Sequence, residues 1–228
     1  MVFEPNYIFI MKKLFLPLSI IAAVSFSSCG GESNEATEET TVEETAEPTC
    51  FYAFDANNET SVKWTAFKTN EKIGVGGQFD EVMVTGGEKS TKITDVINTI
   101  KFSITTASTN TTNEARDKKI IDSFFGTMVT TDLIIGQLEN AEGDNNSGTC
   151  KALLTLNNVE KEVTLKYTLT DNVLNLTGEM NINDFDAQSS LTALNEVCSE
   201  KHTGKDGESI TWPNVELNIT STLSKDCH

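Results

Sequence analysis

Basic residues are scarce in this chain. Its 228 residues include 17 Lys and Arg against 34 Asp and Glu, a formal charge of −17 at pH 7. No Lys/Arg-rich patch offers a footprint for a phosphate backbone, which disfavours nucleic acid as a partner. Histidine is scarcer still: His202 and His228 are the only two. Gly-x-Ser-x-Gly, His-Glu-x-x-His and nucleotide-loop motifs are missing. Gly74, Gly76 and Gly77 are followed by no Lys-Ser/Thr pair and open no helical pattern, so they do not read as a phosphate cradle. Asp184 and Asp186 fall on a turn, where solvated carboxylates are the default. The chain is therefore expected not to be an enzyme and to need no cofactor. Alternation of strands with helices is absent too, which excludes a parallel α/β sheet. Trp64 and Trp212 are the only tryptophans.

There is one long apolar run, from Leu14 to about Val24, and it falls short of the roughly 20 residues that span a bilayer. Met11-Lys12-Lys13 precedes it and Phe26-Ser27-Ser28-Cys29 follows. A basic start, an apolar core and small residues make a secretory signal peptide, expected over 1–28 with its true start at Met11. The pattern resembles a bacterial lipoprotein signal, which implies lipidation at Cys29. Gly30, in place of Asp, implies outer-membrane retention, facing the periplasm or the exterior. Residues 29–49 hold seven glutamates and no basic residue, and are expected to be an acidic flexible tether.

From Cys50 onward the pattern changes to alternation, and 50–228 is expected to be one domain. Val62, Trp64 and Ala66 alternate with Lys63, Thr65 and Phe67. Residues 93–106 read as a strand with Val96, Ile100, Phe102 and Ile104 on one parity. Ala152, Leu154 and Leu156 lead into an Asn157-Asn158 turn. Val163, Leu165, Tyr167 and Leu169 follow, then Leu174, Leu176, Met180 and Ile182, and finally Val215, Leu217, Ile219 and Leu223. Such strands have one dry and one wet face. Residues 189–200 break the rhythm with a helical face of Leu191, Leu194 and Val197-Cys198. Short strands joined by hairpins, with one or two short helices, give an all-β, eight-stranded antiparallel barrel. A barrel of that size is wide enough either to be filled by side chains or to hold one slender ligand.

The chain is densest in polar groups between Ile104 and Phe125. A strand delivers it to a rim, Ser, Thr and Asn can satisfy the exposed backbone there, and a short amphipathic helix ends in Phe124-Phe125. Ser108, Asn110, Thr111, Asn113, Glu114, Arg116, Asp117, Phe124 and Phe125 together resemble the signature of the YceI-like family. Val62-x-Trp64-x-Ala66-x-Lys68, a Gly-rich turn and Gly77-x-Phe79 resemble the opening of the same domain. The resemblance implies a lipocalin-like barrel that holds a long amphiphile, a polyisoprenoid or fatty acyl derivative, in its interior. The expected lining is Trp64, Phe102, Tyr167 and Leu217. Ser108, Asn113, Arg116 and Asp117 are the candidate rim groups, although satisfaction of the turn favours a role in which they, Arg116 and Asp117 above all, only brace the loop. Phe124 and Phe125 would plug or gate the interior.

Once Cys29 is set aside, four cysteines remain. In a closed antiparallel barrel the first and last strands are neighbours, so Cys50 is expected to pair with Cys227. By elimination Cys150 would pair with Cys198. A zinc set from Cys198, His202, Cys227 and His228 is disfavoured, because the two Cys–His spacings are unlike and export oxidises thiols. These expectations describe an envelope lipoprotein that binds, carries or stores a long-chain isoprenoid or fatty acyl amphiphile. The alternative is a filled barrel with a structural or interaction role and no ligand.

Overall fold

Residues 48–130 and 132–228 are described by the computed structural model. The expected signal peptide, Cys29 and all but the last two residues of the expected tether lie outside the described residues. The chain order is β1 (Cys50–Ala53), β2 (Thr60–Lys68), β3 (Ile73–Phe79), β4 (Val82–Thr85), α1 (Ile93–Asn98), β5 (Lys101–Thr105), β6 (Thr109–Asn110) and α2 (Glu114–Lys119). It continues with β7 (Leu133–Gly143), β8 (Ser147–Leu156), β9 (Val159–Thr170), β10 (Val173–Asn181), α3 (Gln188–Val197), α4 (Ser199–His202), β11 (Thr211–Thr222) and β12 (Ser224–Cys227). No helix among the described residues is long and apolar enough to cross a membrane.

Period-two patterning builds the wall. In β9, Val163, Leu165, Tyr167 and Leu169 are buried while Thr164, Lys166 and Thr168 face solvent. β8 buries Cys150, Ala152, Leu154 and Leu156 in the same way. Asn157 and Asn158 take φ of 53° and 59° in the turn between them, the left-handed pair that a tight hairpin needs.

The main sheet is antiparallel and has ten strands in the order β4-β5-β7-β8-β9-β10-β11-β2-β3-β6. The expected count of eight is corrected to ten, because short strands not expected from the sequence, β4 over Val82–Thr85 and the two-residue β6 in the polar rim segment, join the sheet. Asp80 and Glu81 separate β3 from β4, and a tight turn at Thr106–Ser108 separates β5 from β6. Pairing runs on across the interruptions: Asp80 N–H donates to the Ser108 carbonyl at 3.0 Å, and Thr105 N–H to the Glu81 carbonyl at 3.1 Å. These bonds link the two ends of the strand order, so the sheet curls on itself into a barrel-like wall.

α1 plugs one end of this wall. Ile93, Val96 and Ile97 are 0% exposed. The strand expected from residue 93 is thus a helix up to Asn98, and the strand starts at Lys101. The i, i+3, i+4 spacing of those three residues is helical, and it wins over the parity that Val96 shares with Ile100. Asn145, in the β7–β8 turn, accepts from the Ile93 N–H at 2.9 Å and so satisfies an orphan donor of the first helical turn.

β1 and β12 pair as a separate ribbon, with Cys50 opposite Cys227 and a disulfide between them. Cys150 and Cys198 are both free and buried, so the second expected disulfide is not formed. Cys150 lies near the start of β8, at the α1 end, whereas Cys198 follows α3 at the opposite rim. A disulfide needs Cα atoms within about 7 Å, which elimination by count does not test. With Cys227 in the ribbon disulfide, it is not free to join Cys198 and His202 in a metal set.

Candidate functional site

The inward faces of the strands do not meet. They enclose a cavity of about 770 Å³, inside the range of about 300–1,000 Å³ typical of small-molecule sites. Trp64, Phe102 and Leu217 line it, as do Leu176 and Val215.

Its width has a local cause in the strand register. Trp64 stands opposite Gly77, Phe102 opposite Gly136, and Leu165 opposite Gly178. Each large side chain lies over the glycine of the adjacent strand. A Cβ at Gly77 would stand 2.3 Å from Trp64 Cζ2, one at Gly136 2.6 Å from Phe102 Cζ, and one at Gly178 2.6 Å from Leu165 Cδ2. The large groups therefore lie flat along the wall and leave the axis open. Trp64 Nε1 is buried in that wall with no hydrogen-bond partner among the described residues.

Tyr167 follows the same rule, opposite Gly148, but closer to the α1 end. It is 1% exposed, and its hydroxyl donates to the Asp144 carbonyl at 2.7 Å. Expected in the lining, it is absent from the cavity wall and closes the floor instead.

The other end is a mouth built by two helical segments. After β6, Asn113 caps α2, its Oδ1 accepting from the Arg116 N–H at 3.0 Å. Asp117 Oδ1 accepts from the Thr111 N–H at 2.8 Å and from the Thr111 hydroxyl at 2.5 Å. Ser108 Oγ donates to the Thr105 carbonyl at 2.6 Å and accepts from the Glu81 N–H at 3.0 Å. Ser108 and Asp117 thus brace the rim and stand outside the cavity lining, whereas Asn113 and Arg116 line it. Past α2 the helix widens into a π turn over Ile120–Phe124 and then tightens over Phe125–Thr127. This brings Phe124 and Phe125 into the wall, edge to face with ring centroids 5.0 Å apart.

α3 and α4 form the second side of the mouth. Thr127 Oγ1 donates to Ser190 Oγ at 2.9 Å, and Lys119 Nζ to the Val197 carbonyl at 2.7 Å, which ties the two segments together. Lys68 Nζ, at the end of β2, donates to the Lys201 carbonyl at 2.9 Å. His202 Nδ1 lies 2.7 Å from Thr211 Oγ1 and 3.2 Å from Asn195 Oδ1. Burial, and then the charges of Lys68 and Lys119, push the His202 pKa down to about 4.

Lys68, Lys119, Lys201 and His202 were not expected at a mouth, because they come from three segments, β2, α2 and α4, that only the fold brings together. One signal was available: Arg116 and Lys119 lie three apart and so share a helix face.

A YceI-like domain matches residues 33–222. Among solved structures, a polyisoprenoid binding domain from Saccharophagus degradans implicated in plant cell wall breakdown is 13% identical, with a TM-score of 0.52 over 79% of this chain and 100% of that one. BcnA of Burkholderia cenocepacia is 12% identical, with a TM-score of 0.48 over 72% and 96%. The YCEI protein of Campylobacter jejuni is 19% identical, with a TM-score of 0.46 over 67% and 85%. No curated protein matches the chain.

Proposed function

The chain belongs to the YceI-like family, and from that premise we propose that it binds a long-chain amphiphile of polyisoprenoid or fatty acyl type. The observation that carries this reading is the open apolar cavity of about 770 Å³, with its charged lining groups confined to one end. Chain burial contributes about 0.8 kcal/mol per CH₂, so a long chain needs few polar contacts. The ten-stranded antiparallel sheet curls around this cavity as a barrel-like wall. In this reading Trp64, Phe102 and Leu217 contact the chain, Phe124 and Phe125 gate it, and Asn113 and Arg116 meet its head. The protein is a binding module, not an enzyme. The ligand-free, structural reading has no comparable support, because a filled interior would leave no such cavity.

We also propose that the domain is held at the cell envelope, in the outer membrane, by a lipid on Cys29 after cleavage of residues 1–28. The signal-like run before Cys29 and the acidic stretch after it support this. Two experiments test the function. Native mass spectrometry of the purified protein should show a co-purifying lipid, or uptake of isoprenoid or fatty acyl chains; the absence of both would defeat the binding reading. Labelled palmitate should enter the wild type and not Cys29→Ser, and equal labelling of both would remove the anchor.

A further inference from the structure

The cavity lining is one-sided in charge. Lys68, Arg116, Lys119 and Lys201 line its mouth, and no Asp or Glu lines it anywhere among the described residues. This occurs in a chain whose acidic residues outnumber its basic ones two to one. Ion pairing does not account for the four cations. The ion pairs among the described residues are Lys89–Asp226, Lys118–Asp122 and His228–Asp226, and none involves a mouth residue. Lys68 and Lys119 each donate to a backbone carbonyl of the α3–α4 segment, which leaves each ammonium further N–H donors. Those carbonyls belong to Lys201 and Val197, four residues apart, so the two amines converge on one side of the opening. Arg116 adds a planar fork of donors from the facing helix. His202, near Lys68 and Lys119, is held neutral by burial and by the charges of those two lysines.

We infer that the head group of the bound amphiphile is an anion, a carboxylate or phosphate, held at the mouth by Lys68, Arg116, Lys119 and Lys201. The inference rests on the chain-binding reading and adds the chemistry of the head. Like charges beside a low-dielectric lumen raise the local positive potential and attract a counter-ion. An anionic head supplies it while its chain enters the apolar interior. The net negative charge of the protein does not oppose this at contact range, because it is screened over about 10 Å at ordinary ionic strength.

The test varies the head at constant chain length. Dissociation constants of the purified full-length protein, stripped of lipid, are measured for hexadecanoate, hexadecyl phosphate, hexadecanol and hexadecylamine, each below its aggregation limit. One or both anions should bind about tenfold or more tighter than the alcohol, as charge-assisted hydrogen bonds imply, and the amine should bind weakest. The stronger of the two anions identifies the head as carboxylate or phosphate. Lys68→Gln and Lys201→Gln should each narrow the anion-to-alcohol ratio several-fold, while Lys151→Gln, on the outer face of β8, should leave it unchanged. Equal binding of alcohol and anions overturns the inference and leaves the chain-binding reading standing. Binding of none of the four overturns the chain-binding reading itself, and the anionic head with it.

Discussion

At Gly77 a Cβ would stand 2.3 Å from Trp64 Cζ2 and 2.9 Å from Thr111 Cγ2. The missing methyl is what lets the indole lie against the wall. Gly77→Ala should therefore destabilise the fold by about 1–3 kcal/mol, the usual cost of overpacking, and push the ring toward the lumen. Thermal unfolding together with chain uptake checks this: an unchanged Tm and unchanged uptake would show that the ring has room elsewhere. His202 gives a pH prediction. Its folded pKa, about 4, lies below the ordinary 6.5. The unfolded chain therefore takes up the proton first, and stability present above about pH 6.5 is lost progressively down to about pH 4. His202→Gln should abolish that part of the loss, so the Tm difference between wild type and variant should change across this window and be flat above it. Alternation in β2 made the inward direction of Trp64 legible in the sequence. Its glycine partner was not, because Gly77 faces Trp64 only through a strand register that no local pattern states. Tyr167 shows the same limit: its parity placed it inward, but its level along the barrel, floor or lumen, depends on which strand ends share the α1 side.

Among the elements, the β1–β12 ribbon carries the one disulfide of the described residues, joining positions 177 apart in sequence. Closing so long a loop restricts the unfolded chain, and replacing both cysteines by serine should cost about 3–5 kcal/mol in the chain-entropy account. Chemical denaturation of the Cys50→Ser/Cys227→Ser protein measures this; an unchanged midpoint would mean that the ribbon pairs without help from the bond. This disulfide was legible because barrel closure brings the first and last strands together. The Cys150–Cys198 pair was not, since counting cysteines carries no information about which end of a barrel each occupies. Two further misreadings have element-scale causes. Ile93, Val96 and Ile97 have helical spacing while Val96 alone also shares strand parity with Ile100 and Phe102, and burial of all three beneath the barrel floor goes with the helix. The count rises from eight to ten through β4 and the two-residue β6, strands too short to show an alternation of their own, set off by the bends at Asp80-Glu81 and Thr106–Ser108.

For the molecule as a whole, the size of the lumen decides what state it can occupy. A dry lumen of about 770 Å³ would leave the apolar side chains around it without packing partners on their inner side. A chain that fills the lumen would supply those partners. Water finds few partners there, because the wall below the mouth is made of Trp64, Phe102, Leu176, Leu217 and their apolar neighbours. A bound chain should accordingly act as part of the core. Stripping lipid from the purified protein should lower Tm, and adding back a chain at about a hundred times its Kd should restore about 2.7 kcal/mol of stability. For a domain of this size that is roughly 5–10 °C. Calorimetry before stripping, after stripping and after reloading measures the cycle. A Tm that stays constant while mass spectrometry shows the lipid leaving would place the ligand outside the barrel, because a chain that fills the lumen cannot depart without withdrawing its contacts from every strand that lines it.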